Sequence, residues 1–234
     1  MIPLGDDQVR GAGPAIVNWA LIAINAVVFV YEITLGEPAI ERLFQTYGVV
    51  PAAVTQGQGL IGLLTSMFLH GGWLHLVGNM LFLGIFGDNV EAVLGHVGYL
   101  AFYLLGGLAG SAGQILAGPS STLPSVGASG AIAAVLGAYI VMFPRSRVRV
   151  LLILGFFFTV TRVRAVVFLG VWIVLQLLSG VASLSASTTT SDLGGVGWFA
   201  HIGGFIFGLA GGVLMHGRAK RLEYRVYREP PQRW

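Results

Sequence analysis

Six apolar stretches, residues 15–35, 73–93, 97–117, 127–143, 165–184 and 198–216, run almost end to end through the chain. Each approaches the roughly 20 residues that a helix needs to cross a bilayer. Only 10% of the residues are charged, against about 25% in a soluble domain. These features point to an all-α membrane protein, a six-helix bundle, and exclude a soluble globular fold. The second stretch is the least apolar, being interrupted by His75, Asn79, Asp88 and Glu91. Segment 151–160, LLILGFFFTV, is too short to span and is expected at the membrane interface. No repeat or long linker divides the chain, so the expected organisation is an N-terminal segment over 1–14, a six-span domain over 15–216 and a basic tail over 217–234. There is no cysteine, which excludes disulfides, a thiol nucleophile and a thiolate metal site. The first stretch lacks a basic flank and a small-residue cleavage site, and reads as a retained span. The first fifteen residues lack an Arg-rich amphipathic pattern, so a bacterial plasma membrane is expected in preference to an organelle.

Positive charge orients the spans. If the N-terminus is inside, the inner segments hold Arg10, then Arg145, Arg147, Arg149, Arg162 and Arg164, then Arg218, Lys220, Arg221, Arg225, Arg228 and Arg233. The outer segments hold only Arg42. Both termini are therefore expected in the cytoplasm. The basic surfaces carry topology and do not suggest a nucleic-acid partner. In this arrangement His75, Ser129 and His201 each follow an external loop by a few residues, so all three fall in one layer near the outer face.

Ser129 lies in SVGASGAIAA. On its own, a serine there packs helices as readily as it does chemistry. The fourth stretch has two small-residue rows, Gly130/Ala134/Ala138 and Ser129/Ala133/Gly137, and the sixth has Gly204/Gly208/Gly212. Such rows let helix backbones approach closely. The expected contact is between the Ser129/Ala133/Gly137 row and Gly204/Gly208, which would bring His201 to Ser129. A serine hydroxyl needs a base in hydrogen-bond reach to become a nucleophile, and a neutral imidazole is such a base. Asp192 is the nearest acid and reads as solvated, so a Ser–His dyad without a carboxylate is expected. His75 and Asn79 are four apart, on one helix face. They could join two helices, or act with the Ser129 backbone N–H as oxyanion donors. His70 is expected to shape the first external loop through a hydrogen bond.

The motifs GASGA, AHIGG and HLVGNMLFL, in their places on these spans, resemble the rhomboid intramembrane serine proteases over residues 15–216. The resemblance implies a six-span bundle with a long external first loop, Ser129 as nucleophile and His201 as general base. It implies His75 and Asn79 as oxyanion donors, structural roles for Glu91, Gly204 and Gly208, and no cofactor or metal. The implied partners are membrane proteins, usually of a single span, cut near the outer part of their transmembrane segment; the bilayer is the other partner. Unwinding of the substrate helix and a water-accessible cavity are then physical requirements.

Two positions depart from the family pattern. Ile61-Gly62 replaces the usual Trp-Arg, and Gly62 is expected to tolerate small changes. Ala133 stands where an aromatic often stacks on the base. Rival readings are weaker. An inactive binder of the same family would typically lack the serine or histidine. A transporter would carry polar residues across the membrane, whereas here they stop at one layer. His70, His75 and His201 lack the spacing of a haem or metal set. The zinc motif His-Glu-x-x-His is missing, and IFGD at 85–88 is not a Gly-x-Gly-Asp aspartyl motif.

Overall fold

The computed structural model describes residues 1–7, 13–154, 157–185 and 197–228; Arg10, Asp192 and Arg233 lie outside them. In chain order the elements are β1 (Ile2–Asp6), α1 (Ile16–Glu32), α2 (Glu37–Tyr47), α3 (Pro51–Val54), α4 (Gly62–Thr65), a 3-10 turn (Ser66–Phe68), α5 (Trp73–Leu94), α6 (His96–Ala117), α7 (Ser129–Met142), β2 (Arg147–Leu154), β3 (Phe157–Arg164), α8 (Ala165–Ser185) and α9 (Trp198–Arg228). All six apolar stretches are helical. Among the described residues, four helices are long and apolar enough to cross a membrane: α5, α6, and the Ala165–Ala182 and Trp198–Leu222 parts of α8 and α9. α1 and α7 are shorter, at 17 and 14 residues.

The all-helical expectation is corrected by a three-stranded antiparallel sheet in the order β1-β2-β3. Residues 147–150 read Arg-Val-Arg-Val, the period-two alternation of a half-buried strand. Val148 and Val150 are buried while Arg147 and Arg149 are exposed. The described residues of LLILGFFFTV therefore belong to the paired strands β2 and β3. The N-terminal segment supplies the third strand. At the other end, α9 continues through Arg228, so residues 217–228 are helical.

α7 is the axis of the bundle. Every residue from Gly130 to Tyr139 is buried, between α5, α6 and α9. Gly204 has no room for a side chain, because a Cβ there would strike the Gly130 carbonyl. Gly208 meets Ala134 in the same way, and a Cβ on Gly212 would lie 2.9 Å from the Ala138 carbonyl. The Gly130/Ala134/Ala138 row thus faces α9. Ala133 and Gly137 of the expected row face it as well: the Ala133 side chain lies 3.4 Å from where a Gly204 Cβ would be, and a Cβ on Gly137 would strike the Phe205 carbonyl and lie 3.1 Å from the Gly208 backbone. α6 joins the contact through Gly110, where a Cβ would lie 2.9 Å from the Ala200 carbonyl and 3.0 Å from the Gly130 Cα.

Remote side chains complete the helix ends. The Glu91 carboxylate accepts from the backbone N–H of Val17 (3.0 Å) and Asn18 (2.7 Å) in the first turn of α1, where free amides and the helix dipole favour an anion. Glu32 accepts from the His70 backbone N–H at 3.1 Å, tying the first loop to the end of α1. Gly62 is buried, and a Cβ there would strike the Gly48 carbonyl. The expectation that it tolerates change is therefore overturned.

Candidate active site

Ser129 is the first residue of α7. The first helical hydrogen bond runs from the Ile132 N–H to the Ala128 carbonyl, so the amides of Ser129, Gly130 and Ala131 have no intrahelical acceptor. The preceding loop is pinned on two sides. Val49 and Ser125 exchange backbone hydrogen bonds of 2.9 and 2.8 Å, and the Gly127 N–H donates to the Ser66 carbonyl at 2.9 Å. Gly127 has φ +133°, a conformation that other residues rarely adopt. A Cβ there would lie 2.7 Å from His75 Nε2 and 3.6 Å from Ser129 Oγ. The missing side chain leaves open the space between an imidazole and a hydroxyl.

His75 and Asn79 share a face of α5. The Gly71 N–H donates to His75 Nδ1 at 3.3 Å, so Nδ1 holds the lone pair and Nε2, the nitrogen beside Gly127, carries the proton. Asn79 is buried, and its Nδ2 has no partner among the described residues. Two donors thus lie along one side of the serine.

His201 sits in the first turn of α9. Its Nδ1 meets Gln176 Oε1 at 2.7 Å. An amide oxygen only accepts, so Nδ1 is the protonated nitrogen and Nε2 keeps the lone pair. Trp172 and Gln176 lie one helical turn apart on the same face of α8. The Trp172 ring packs against the imidazole at a centroid distance of 5.8 Å, and Trp198 meets it edge-on at 6.1 Å. The aromatic support absent at Ala133 therefore comes from α8 and from the start of α9. Sequence reading missed Gln176, Trp172 and Gly127. The available signal was Gln176, the lone amide in AVVFLGVWIVLQLLSG, because polar groups inside a membrane span are costly.

Ser129, His201, His75, Asn79, Gln176 and Trp172 all line one cavity of about 790 Å³. His70 lies apart from that lining. Its loop contact runs through its backbone amide, while both ring nitrogens lack partners among the described residues. Burial first, and then His75, lower its pKa to about 4, which keeps the ring neutral. Glu91, Gly204 and Gly208 lie in the framework described above.

A helical membrane domain thus brings a serine, a histidine of fixed tautomer and two further polar side chains to one cavity. Residues 57–218 match the rhomboid domain family model, and the chain belongs to the rhomboid family. It is 30% identical over 196 residues to Rhomboid protein 1, mitochondrial, of Saccharomyces cerevisiae, covering 82% of this chain and 51% of that protein. It is 35% identical over 122 residues to Rhomboid protease GluP of Bacillus subtilis, covering 52% of this chain and 23% of that one. It is 31% identical over 136 residues to Presenilin-associated rhomboid-like protein A, mitochondrial, of Danio rerio, covering 57% and 34%. The chain spans about half the length of the yeast relative and less of the other two. Relatives named for mitochondria and one from a bacterium match the region, and this chain is an integral multi-pass membrane protein.

Proposed function

We propose that this chain is an intramembrane serine endopeptidase that cuts the transmembrane segments of other membrane proteins. The observation that carries the proposal is the Gln176–His201 hydrogen bond at the wall of the cavity that Ser129 enters. A histidine held with its Nε2 lone pair free is a base ready for a hydroxyl proton. In the reaction, Ser129 Oγ attacks the scissile carbonyl while His201 Nε2 takes its proton. The Ser129 backbone N–H, His75 Nε2–H and Asn79 Nδ2 stabilise the oxyanion. His201 then gives the proton to the leaving amine. It next activates a water that frees the acyl group. Neutral Gln176 replaces the carboxylate of a Ser–His–Asp triad: it fixes the tautomer without adding charge to a low-dielectric site.

The catalytic domain is residues 15–216, arranged as six spans with 1–14 and the basic C-terminal segment inside and the long first loop outside, in the plasma membrane. The orientation rests on the arginine asymmetry and puts the cavity toward the external face. Single-span proteins are the proposed substrates, because a lone helix can enter laterally and unwind at the cavity. The name of the GluP relative, a protease, agrees with this reading. The test is incubation of the purified protein in detergent with a panel of single-span reporters beside the Ser129→Ala form. Cleavage by the wild type alone, with fluorophosphonate labelling on Ser129, is the expected result. Labelling on Ser125 instead, or undiminished turnover in Ser129→Ala, would remove Ser129 from its role.

A further inference from the structure

The β2–β3 hairpin leaves the bundle at the end of α7 opposite Ser129, and its register gives it an unusual face. Arg147 pairs with Arg164 and Arg149 with Arg162 across the two strands. Residues two apart lie on one side of a strand, so all four guanidinium groups share a face, and all four residues are exposed. Like charges directly opposite one another oppose strand pairing. Among the described residues no carboxylate forms an ion pair with any of the four. The Asp7 carboxylate nearby accepts from the Arg147 backbone N–H, not from its side chain. Gly5 of β1 leaves room for the Arg149 side chain, since a Cβ there would lie 2.8 Å from Nη2.

The same face changes character along its length. Beyond the arginines the next pairs are Leu151 with Val160 and Ile153 with Phe158. Ile153, Phe158 and Val160 are 55%, 79% and 58% exposed. One ribbon face is therefore basic beside the bundle and apolar toward the tip. Water suits only the first half. The boundary between phosphate groups and acyl chains suits both, since arginine binds phosphate by charge and by paired hydrogen bonds while aromatic and aliphatic groups enter the chains.

We propose that this hairpin face is a docking surface for the anionic phospholipid headgroups of the bilayer that holds the bundle. The four arginines engage phosphates, and the Phe158 end inserts among the upper acyl carbons. The sign of the charge selects the occupant: two arginine pairs in register that meet no carboxylate among the described residues favour anions, and the adjoining apolar half favours lipid. A second copy of this chain would bring the same four positive charges and does not satisfy the face.

The protein contains no cysteine, so Phe158→Cys carries a single environment-sensitive dye at an exposed position. The labelled full chain is placed in nanodiscs of phosphatidylcholine, with or without phosphatidylglycerol. The expected result is blue-shifted emission, quenched by brominated acyl chains and strengthened by phosphatidylglycerol. The Arg149→Gln/Arg162→Gln pair should lose that dependence. A water-like emission in both lipids overturns the proposal. So does acyl quenching indifferent to phosphatidylglycerol and to the arginines, or dye–dye quenching between copies, which would make the face a self-association site. The readout involves no proteolysis, so its failure is separate from any failure of the Ser129–His201 reading.

Discussion

In the proposed reaction His201 needs one nitrogen free and the other held, and the holding atom belongs to an amide. Gln176→Ala should therefore lower kcat by about ten-fold or more with little change in KM, because tautomer and ring orientation are lost while the cavity remains. Gln176→Glu, which keeps an acceptor, should recover rate and shift the acid limb of the pH profile upward. Equal loss in both variants with an unchanged pH profile would reduce Gln176 to a packing residue. The donors on α5 behave differently. Losing one oxyanion donor typically slows acyl transfer by about 10²- to 10³-fold, and less where others compensate. His75→Ala and Asn79→Ala should then keep measurable turnover, and His201→Ala almost none; the reverse order would exchange the two roles. That Ser129, His75, Asn79 and His201 line one cavity could be anticipated because each is a polar residue near the start of an otherwise apolar stretch. Gln176 and Trp172 were not legible, since only the packing of α8 on α9 says which histidine they meet. Gly127 was hidden for another reason: its value lies in a side chain it lacks.

Among the elements, the α7–α9 contact and the docking of β1 invite opposite kinds of test. Gly204→Val drives branched carbons into the Gly130 carbonyl, separating the two helices just below the dyad. A shift of about 1 Å can cost on the order of 10²-fold in rate. Most activity should be lost and thermal unfolding should come earlier. Gly170→Ala on α8, with open space around it, is the control. Full activity and unchanged melting in Gly204→Val would show that the ladder is not close-packed. For β1 the lever is pH. Asp6 receives hydrogen bonds from Tyr139 and Asn89, yet burial raises its pKa to about 7. The folded form thus binds the proton more tightly than the unfolded chain. The stabilisation is complete below about pH 4 and is lost as pH rises to about 7. Protection of the β1 amides, taken relative to their intrinsic exchange rate at each pH, should fall over that window in the wild type and stay flat in Asp6→Asn; a flat wild-type protection profile would refute the linkage. The helices were readable from hydropathy, whereas the sheet was not. LLILGFFFTV has the composition of a buried helix as much as of a strand. β1 contains Pro3 and Gly5, and its order comes from β2.

For the whole molecule, α7 decides how many times the chain crosses the membrane. Its 14 residues extend about 21 Å at 1.5 Å per residue, against a hydrocarbon core of about 30 Å. A lipid-facing helix of that length would be mismatched. α7, however, is enclosed by α5, α6 and α9, so it need not match the lipid. A six-span chain puts three crossings, α5, α6 and α7, between the first loop and the hairpin, and places them on opposite sides. If α7 only dips into the bundle, both lie on the same side. The cysteine-free background makes this measurable. Gln58→Cys in the first loop and Thr159→Cys in β3 are both at exposed positions. In intact cells a membrane-impermeant maleimide should label Gln58→Cys directly, and Thr159→Cys only after the membrane is permeabilised. Labelling of both without permeabilisation would make α7 a re-entrant helix and refute the six-span count. Labelling of Thr159→Cys alone would invert the bundle and turn the Ser129 cavity toward the cytoplasm, where a substrate of the proposed reaction would have to enter from the other face.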